Sequence, residues 1–159
     1  MLNAMQADHV AAHHEAGHAV GAFLLGVPFE KVALASPGSG EGHIPGSLTV
    51  KEIRESNLCW EHAVVARLGP ETEKLFFGRA DRRYYQNDVE TIEKLYLTFF
   101  ASEMRCDQYR AELRSRSAKV LQCPGFCEAV KAVAKILVEK RSVLEGEVAE
   151  AIKATVPPF

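Results

Sequence analysis

The chain has 159 residues, of which 47% are hydrophobic, so it can bury one core but is too short for two, and we expect a single domain spanning residues 1–159. Its 19 basic and 21 acidic residues are spread along the whole length and give a net charge of −2, which argues against nucleic acid as a partner. The longest apolar stretch, residues 19–29, is broken by glycine and proline and falls short of the about 20 residues that cross a bilayer. We therefore expect neither export nor a membrane partner.

The four cysteines are Cys59, Cys106, Cys123 and Cys127. They form no CxxC pair with a matching second pair, so we expect free thiols rather than disulfides or a metal site. This usage favours a reducing compartment and a cytoplasmic protein.

The first predicted element is a helix over Ala4–Leu25, where alanine is frequent and apolar residues recur at helical spacing. Gly26 and Pro28 then supply the usual signal for a helix end. Alternation of apolar and other residues predicts a strand over 29–35. Residues 36–47 contain four glycines and two prolines, which predicts an exposed loop that can return as a hairpin.

The rest of the chain reads as helices. We predict one over 56–68, a second short one opened by Gly69 and Pro70 and ending at 77, a polar loop over 78–86, and helices over 87–105, 108–121, 127–139 and 142–154. The expected fold class is mainly α (α+β), with a small strand or hairpin beside the first helix.

The first predicted helix contains the motif HEAGH, from His14 to His18. Residues four apart lie on the same face of a helix, so the two imidazoles can bind one zinc ion. Glu15 then lies beside the ion rather than on it, where a carboxylate can act as a general base. The alternative is an ordinary solvated helix face. Gly17 and Gly21 weigh against it, because small residues in a helix interior usually serve close packing.

His9 and His13 provide an internal comparison, because they are also four apart but have Val10 where the motif has its glutamate. A catalytic zinc site needs a third protein ligand. The extension HExxHxxGxxH is excluded by Leu24, and spacing alone does not choose among the remaining candidates. These candidates are His43, Glu61, His62, Asp81 and Asp88.

Three segments of the chain carry a resemblance to a known family. HEAGHAV at 14–20, LGPETEKLFFG at 68–78 and QNDVETI at 86–92 are similar to the protease domain of the FtsH family of ATP-dependent zinc metalloproteases. The C-terminal segment 132–152 resembles the closing helices of that domain. The resemblance implies a helical zinc-peptidase fold, one Zn²⁺ ion held by His14, His18 and Asp88, and Glu15 as the base.

The residues around Asp88 suit this assignment. Asn87 is a favoured N-cap, so we expect a helix to begin at Asp88, where the positive end of the helix dipole favours a carboxylate.

The sequence contains no GxxxxGK[ST] loop, since Gly38, Gly40 and Gly42 are followed by no lysine. We therefore expect a stand-alone zinc endopeptidase acting on peptides or unfolded protein segments. A separate ATPase and a homo-oligomer are compatible with the resemblance. The strand around Val32 and Leu34 could offer an edge to which an extended substrate adds.

Two other interpretations remain. The chain could be a non-catalytic interaction module that keeps zinc as a structural element, although such a module has no use for Glu15. It could also be a helical scaffold without metal.

Overall fold

The computed structural model describes residues 2–34, 42–43 and 49–157. Its elements, in chain order, are α1 (Ala4–Leu25), β1 (Lys31–Leu34), β2 (Gly42–His43), α2 (Val50–Ser56), α3 (Cys59–Phe77), α4 (Arg82–Leu95), a π-helical turn (Tyr96–Phe100), α5 (Cys106–Leu121), α6 (Phe126–Lys140), β3 (Ser142–Leu144) and α7 (Glu145–Thr155). The mainly helical fold with a small sheet is confirmed. The predicted loop over 36–47 lies outside the described residues except for β2.

Helix α1 has the predicted bounds, and its ends show why. Asn3 caps the N-terminus in a capping box with Gln6, and Gly26 ends the helix in the left-handed conformation at φ 71°. Every residue from 11 to 22 is buried, whichever side of the helix it lies on. The HEAGH motif therefore lies inside the protein, and the solvated-face interpretation is wrong.

The sheet has the order β2-β1-β3, and both pairings are antiparallel. Strand β3 lies where the sequence predicted the start of a helix over 142–154. Val143 pairs with Val32 and is fully buried, so burial of this apolar residue outweighs local helix preference. Among the described residues, β1 pairs with β3 at Lys31, Val32 and Ala33 but with β2 only at Ala33 and Leu34, so addition of an extended substrate to this strand stays a prediction.

Helix α3 is continuous where two helices were predicted. Pro70 lies inside it and Gly69 precedes Pro70, both buried. Proline removes one helical hydrogen bond. Buried residues on both sides of Pro70 pack α3 against α1 and keep the helix intact.

Helix α4 begins at Arg82, five residues before the start of the predicted helix over 87–105. Asp81 is its N-cap and accepts a hydrogen bond from the Arg83 amide, so the predicted loop over 78–86 already contains helix. Asn87 is therefore not a cap, and Asp88 lies in the second turn of α4. The predicted helix over 87–105 ends as an α-helix at Leu95 and continues into the π-helical turn.

Helix α2 was not predicted, although Thr49 and Glu52 form a capping box at its start. The four cysteines are free thiols, as predicted, and each is half-buried. None of the described helices is both long enough and apolar enough to cross a membrane.

Three apolar clusters form the core. The largest joins α1 and β1 to α6, β3 and α7, the second joins α3 to α5 and the end of α4, and a small third one consists of Ala22, Val27 and Val65. Helices α1 and α3 pack closely on each other. A Cβ atom on Gly17 would lie 2.3 Å from Thr72 Oγ1 and 2.9 Å from the Leu68 carbonyl oxygen, so only glycine allows this approach.

We expect Gly17→Ala to lower the free energy of unfolding by about 1–3 kcal/mol, because the added methyl overpacks the contact between the helices. This loss exceeds the gain of up to about 1 kcal/mol that alanine brings to a helix interior. Urea denaturation of the metal-free protein measures it. The control is Gly146→Ala in α7, where a Cβ would meet no atom within 4 Å. Equal stability of the two variants would contradict the tight contact.

Candidate metal centre

Helices α1 and α3 run in opposite directions, since His14 on α1 meets Glu73 on α3 while His18 meets Val65. The imidazoles of His14 and His18 therefore lie between the two helices. Both side chains are almost fully buried, at 2% and 5% exposed.

Helix α4 brings Asp88 to the same place. The Nε2 atoms of His14 and His18 are 3.0 Å apart, Asp88 Oδ2 is 2.9 Å from His14 Nε2, and Asp88 Oδ1 is 3.2 Å from His18 Nε2. One ligand atom from each residue lies within 4.8 Å of the others, so the group could hold a metal ion. Two nitrogens bonded to a tetrahedral zinc at about 2.0–2.1 Å would be about 3.3 Å apart, close to these separations.

The other nitrogen of each imidazole is held by α3. His14 Nδ1 donates to Glu73 Oε1 at 2.5 Å, and His18 Nδ1 donates to the Val65 carbonyl oxygen at 2.7 Å. A carbonyl oxygen can only accept, so Nδ1 of His18 carries the hydrogen and its Nε2 is the atom left to bind a cation. Such contacts fix ring orientation and tautomer at metal sites.

Gly69 leaves the space that this arrangement needs. A Cβ atom there would lie 2.4 Å from His18 Nε2 and 2.6 Å from His14 Nε2. Val65, Gly69 and Glu73 are four residues apart in turn, so they form one stripe along α3 that faces the two imidazoles.

Charge in this cluster is strongly coupled. Burial alone would lower the pKa of His14, but hydrogen bonds to Asp88 and Glu73 outweigh it and raise the pKa to about 10. Burial would also lower the pKa of His18, but the negative charge of Asp88 outweighs this effect, so the pKa of His18 is raised as well. Burial would raise the pKa of Asp88, yet His18 and His14 hold it well below its usual range. The group is thus built to keep a positive charge between the imidazoles and the carboxylate.

Glu15 lies next to His14 in α1 and is 6% exposed. Its negative charge contributes to raising the pKa of both His14 and His18. Glu15 is not one of the three residues that could share an ion. It therefore stands beside the ligand group, as the spacing of the motif predicts.

Three of the remaining ligand candidates, Asp81, Glu61 and His62, lie elsewhere. Asp81 caps α4 and is paired with Arg83. Glu61 lines a cleft between α3 and α5 with Trp60. His62 is half-buried on α3, and burial lowers its pKa. His43 belongs to β2, but its side chain lies outside the described part of the structure.

His9 and His13 form a separate aromatic contact. His13 Nδ1 donates to the His9 carbonyl oxygen at 2.8 Å, and the His13 ring packs against Phe76 and Phe77. Among the described residues, neither histidine belongs to a group that could hold a metal.

The sequence did not identify Val65, Gly69 or Glu73 as residues of the candidate metal centre. Glu73 is fully buried, which is rare for a glutamate unless it is paired. The four-residue spacing of Gly69 and Glu73 could have indicated that both face the same side of a helix. That inference requires α3 to be one helix that continues through Pro70, whereas two helices were predicted.

The sequence matches no protein-family model and no curated protein.

Asp88 and Glu61 offer a direct test of the third ligand. Because Asp88 bridges both imidazoles, we expect Asp88→Ala to weaken zinc binding by more than the about 10- to 100-fold typical of a lost outer hydrogen bond. Competition with a chromophoric chelator measures the affinity. Glu61→Ala removes the same kind of charge from α3 and should bind zinc like the unmodified protein. Near-native affinity in Asp88→Ala would show that another residue completes the site.

Zinc binding should release protons. The pKa of His14 is about 10 in the metal-free protein, so at pH 7 its imidazole is protonated and must lose that proton to become a ligand. The affinity should therefore rise as the pH rises from 6 to 8, by about tenfold per pH unit for each proton displaced. Calorimetry in buffers of different ionisation enthalpy counts the protons. Release of none would contradict the protonated cluster.

Proposed function

We propose that this protein is a zinc-dependent endopeptidase in which His14, His18 and Asp88 hold the ion and Glu15 is the general base. The observation that carries the proposal is the convergence of two buried imidazole nitrogens and a carboxylate, within 3.2 Å of one another, beside a second buried carboxylate.

The ligand set fits zinc. Imidazole nitrogen and carboxylate oxygen are both ordinary zinc ligands, and three protein ligands are typical of catalytic rather than structural zinc. When bound, the ion would polarise the scissile carbonyl and would lower the pKa of the attacking water towards about 7.

The chain's own contribution to the reaction comes from Glu15. Its carboxylate accepts the proton of the attacking water while the water oxygen bonds to the carbonyl carbon of the peptide. It then returns that proton to the amine nitrogen as the C–N bond breaks. Burial of Glu15 supports this role, because a base shielded from solvent keeps the proton for the leaving group.

The ligands are supported by rigid elements. Two come from the buried centre of α1 and one from the second turn of α4, while α3 holds the outer nitrogen of each imidazole. A site built on packed helices stays close to its productive geometry.

The resemblance of residues 14–20, 68–78 and 86–92 to the FtsH proteases supports the same assignment. It suggests peptides or unfolded protein segments as substrates. On this proposal the protein works in the cytoplasm, a separate ATPase could deliver its substrate, and the chain could form a homo-oligomer.

The alternative is an interaction module with structural zinc. Structural zinc sites are usually closed by four protein ligands. Among the described residues the group has three, which favours an open position and hence catalysis.

We expect Glu15→Gln to keep about one equivalent of zinc and to lose casein hydrolysis by several orders of magnitude, because the amide cannot accept the proton. Elemental analysis after chelator-free purification gives the zinc content, and release of soluble peptides gives the rate.

The matched control is His13→Ala on the same helix, which should retain both zinc and activity. Unchanged hydrolysis in Glu15→Gln would contradict the mechanism. Absence of zinc from the unmodified protein, even after reconstitution, would contradict the site itself.

A further inference from the structure

Glu73 is fully buried, and its two carboxylate oxygens contact different parts of the protein. Oε1 accepts from His14 Nδ1 at 2.5 Å, and Oε2 accepts from the backbone amide of Asp81 at 2.9 Å. Asp81 is the N-cap of α4, the helix that carries Asp88 two turns further on. One buried side chain thus touches a ligand from α1 and the start of the helix that supplies the third ligand.

We propose that Glu73 is a positioning residue that couples metal binding to the anchoring of the N-terminus of α4. The inference rests on the metal site of the proposed function, but not on peptidase activity. Its consequence is reciprocal: an ion that orders the His14 ring also stabilises the start of α4, and anchoring α4 raises metal affinity by the same factor.

The chemistry of the contacts requires a carboxylate. Both partners are donors, since the Asp81 amide carries a hydrogen and His14 presents Nδ1–H when its Nε2 is a ligand. A carboxylate offers two acceptor oxygens, whereas glutamine offers one acceptor and one NH₂ donor. Glutamine at this position keeps the size of the side chain but must lose one of the two bonds, and on this proposal the loss of either bond weakens the other, because one side chain makes both.

The bridge also explains the position of Asp88. Between Glu73 and Asp81 the chain leaves α3 at Gly78 and turns into α4. The Oε2 bond fixes this turn from inside, and Asp88 lies about 10 Å along the axis from Asp81 at 1.5 Å per residue. A shift at the start of α4 would therefore displace the ligand.

The test compares Glu73→Gln with Glu71→Gln. Both remove one negative charge from α3, but Glu71 pairs with Lys74 and Arg67 near the surface, at 2.9 and 3.1 Å. Two quantities are measured: zinc affinity by chelator competition, and hydrogen exchange of the Asp81 amide by NMR, with and without zinc.

We expect Glu73→Gln to weaken zinc binding about 10- to 100-fold. We also expect it to speed exchange of the Asp81 amide about fivefold or more, the change that loss of one hydrogen bond typically gives. Glu71→Gln should alter neither quantity. Unchanged zinc affinity in Glu73→Gln would overturn the proposal. Weakened affinity with unchanged exchange at Asp81 would overturn the coupling, because Glu73 would then orient His14 alone.

The unmodified protein gives a second test that does not depend on folding of a variant. Saturation with zinc should slow exchange of the Asp81 amide more than any general slowing of the buried amides of α6 that comes from stabilisation of the whole fold, and no change at Asp81 would overturn the proposal. If the zinc affinity and the exchange of the Asp81 amide behave as expected but the protein hydrolyses no peptide, only the proposed function is contradicted. If the unmodified protein binds no zinc, both the proposed function and the coupling to metal binding fail.

Discussion

The close approach of α1 and α3 is the constraint on which the rest of the structure depends. Gly17 and Gly21 remove the side chains that would hold the helices apart, and a Cβ on Gly21 would lie 2.1 Å from Leu68 Cδ1. At this distance the backbone of α3 can itself serve as an acceptor for His18. The same approach brings Gly69 against both imidazoles. The group that could bind a metal ion therefore forms only when the two helices pack together.

Much of this could be predicted from sequence because the signals are local. The bounds of α1 follow from its alanine-rich periodicity and from Gly26, and the spacing of His14 and His18 places both rings on one face. Asp88 required more than spacing, because no local rule distinguishes it from Asp81 or Glu61. The resemblance to the FtsH family selected it, and the structure places its carboxylate beside both imidazoles.

The predictions that were wrong concern elements whose structure is decided by contacts between residues far apart in the sequence. Val143 enters the sheet because Val32 is there to pair with it, which no pattern within 142–154 reveals. Pro70 is tolerated inside α3 because α1 packs on both sides of it, and Asp81 rather than Asn87 starts α4 while Glu73 accepts its amide. Each error came from reading a local preference where a tertiary contact decides.

The charges around His14 affect whether the protein can fold before it binds a metal ion. Small zinc-binding domains such as zinc fingers remain unfolded until metal arrives, because they have little core of their own. Here the two large apolar clusters include residues of α1 and of α3. A proton on His14 also prevents repulsion between the lone pairs of the imidazole nitrogens and the Asp88 oxygens, which face one another. The newly synthesised chain can thus reach its folded form before it meets an ion. If the group binds a metal ion, loading would replace a proton by that ion in a cavity that is already formed, so metal supply would set how many molecules carry an ion without setting how many fold.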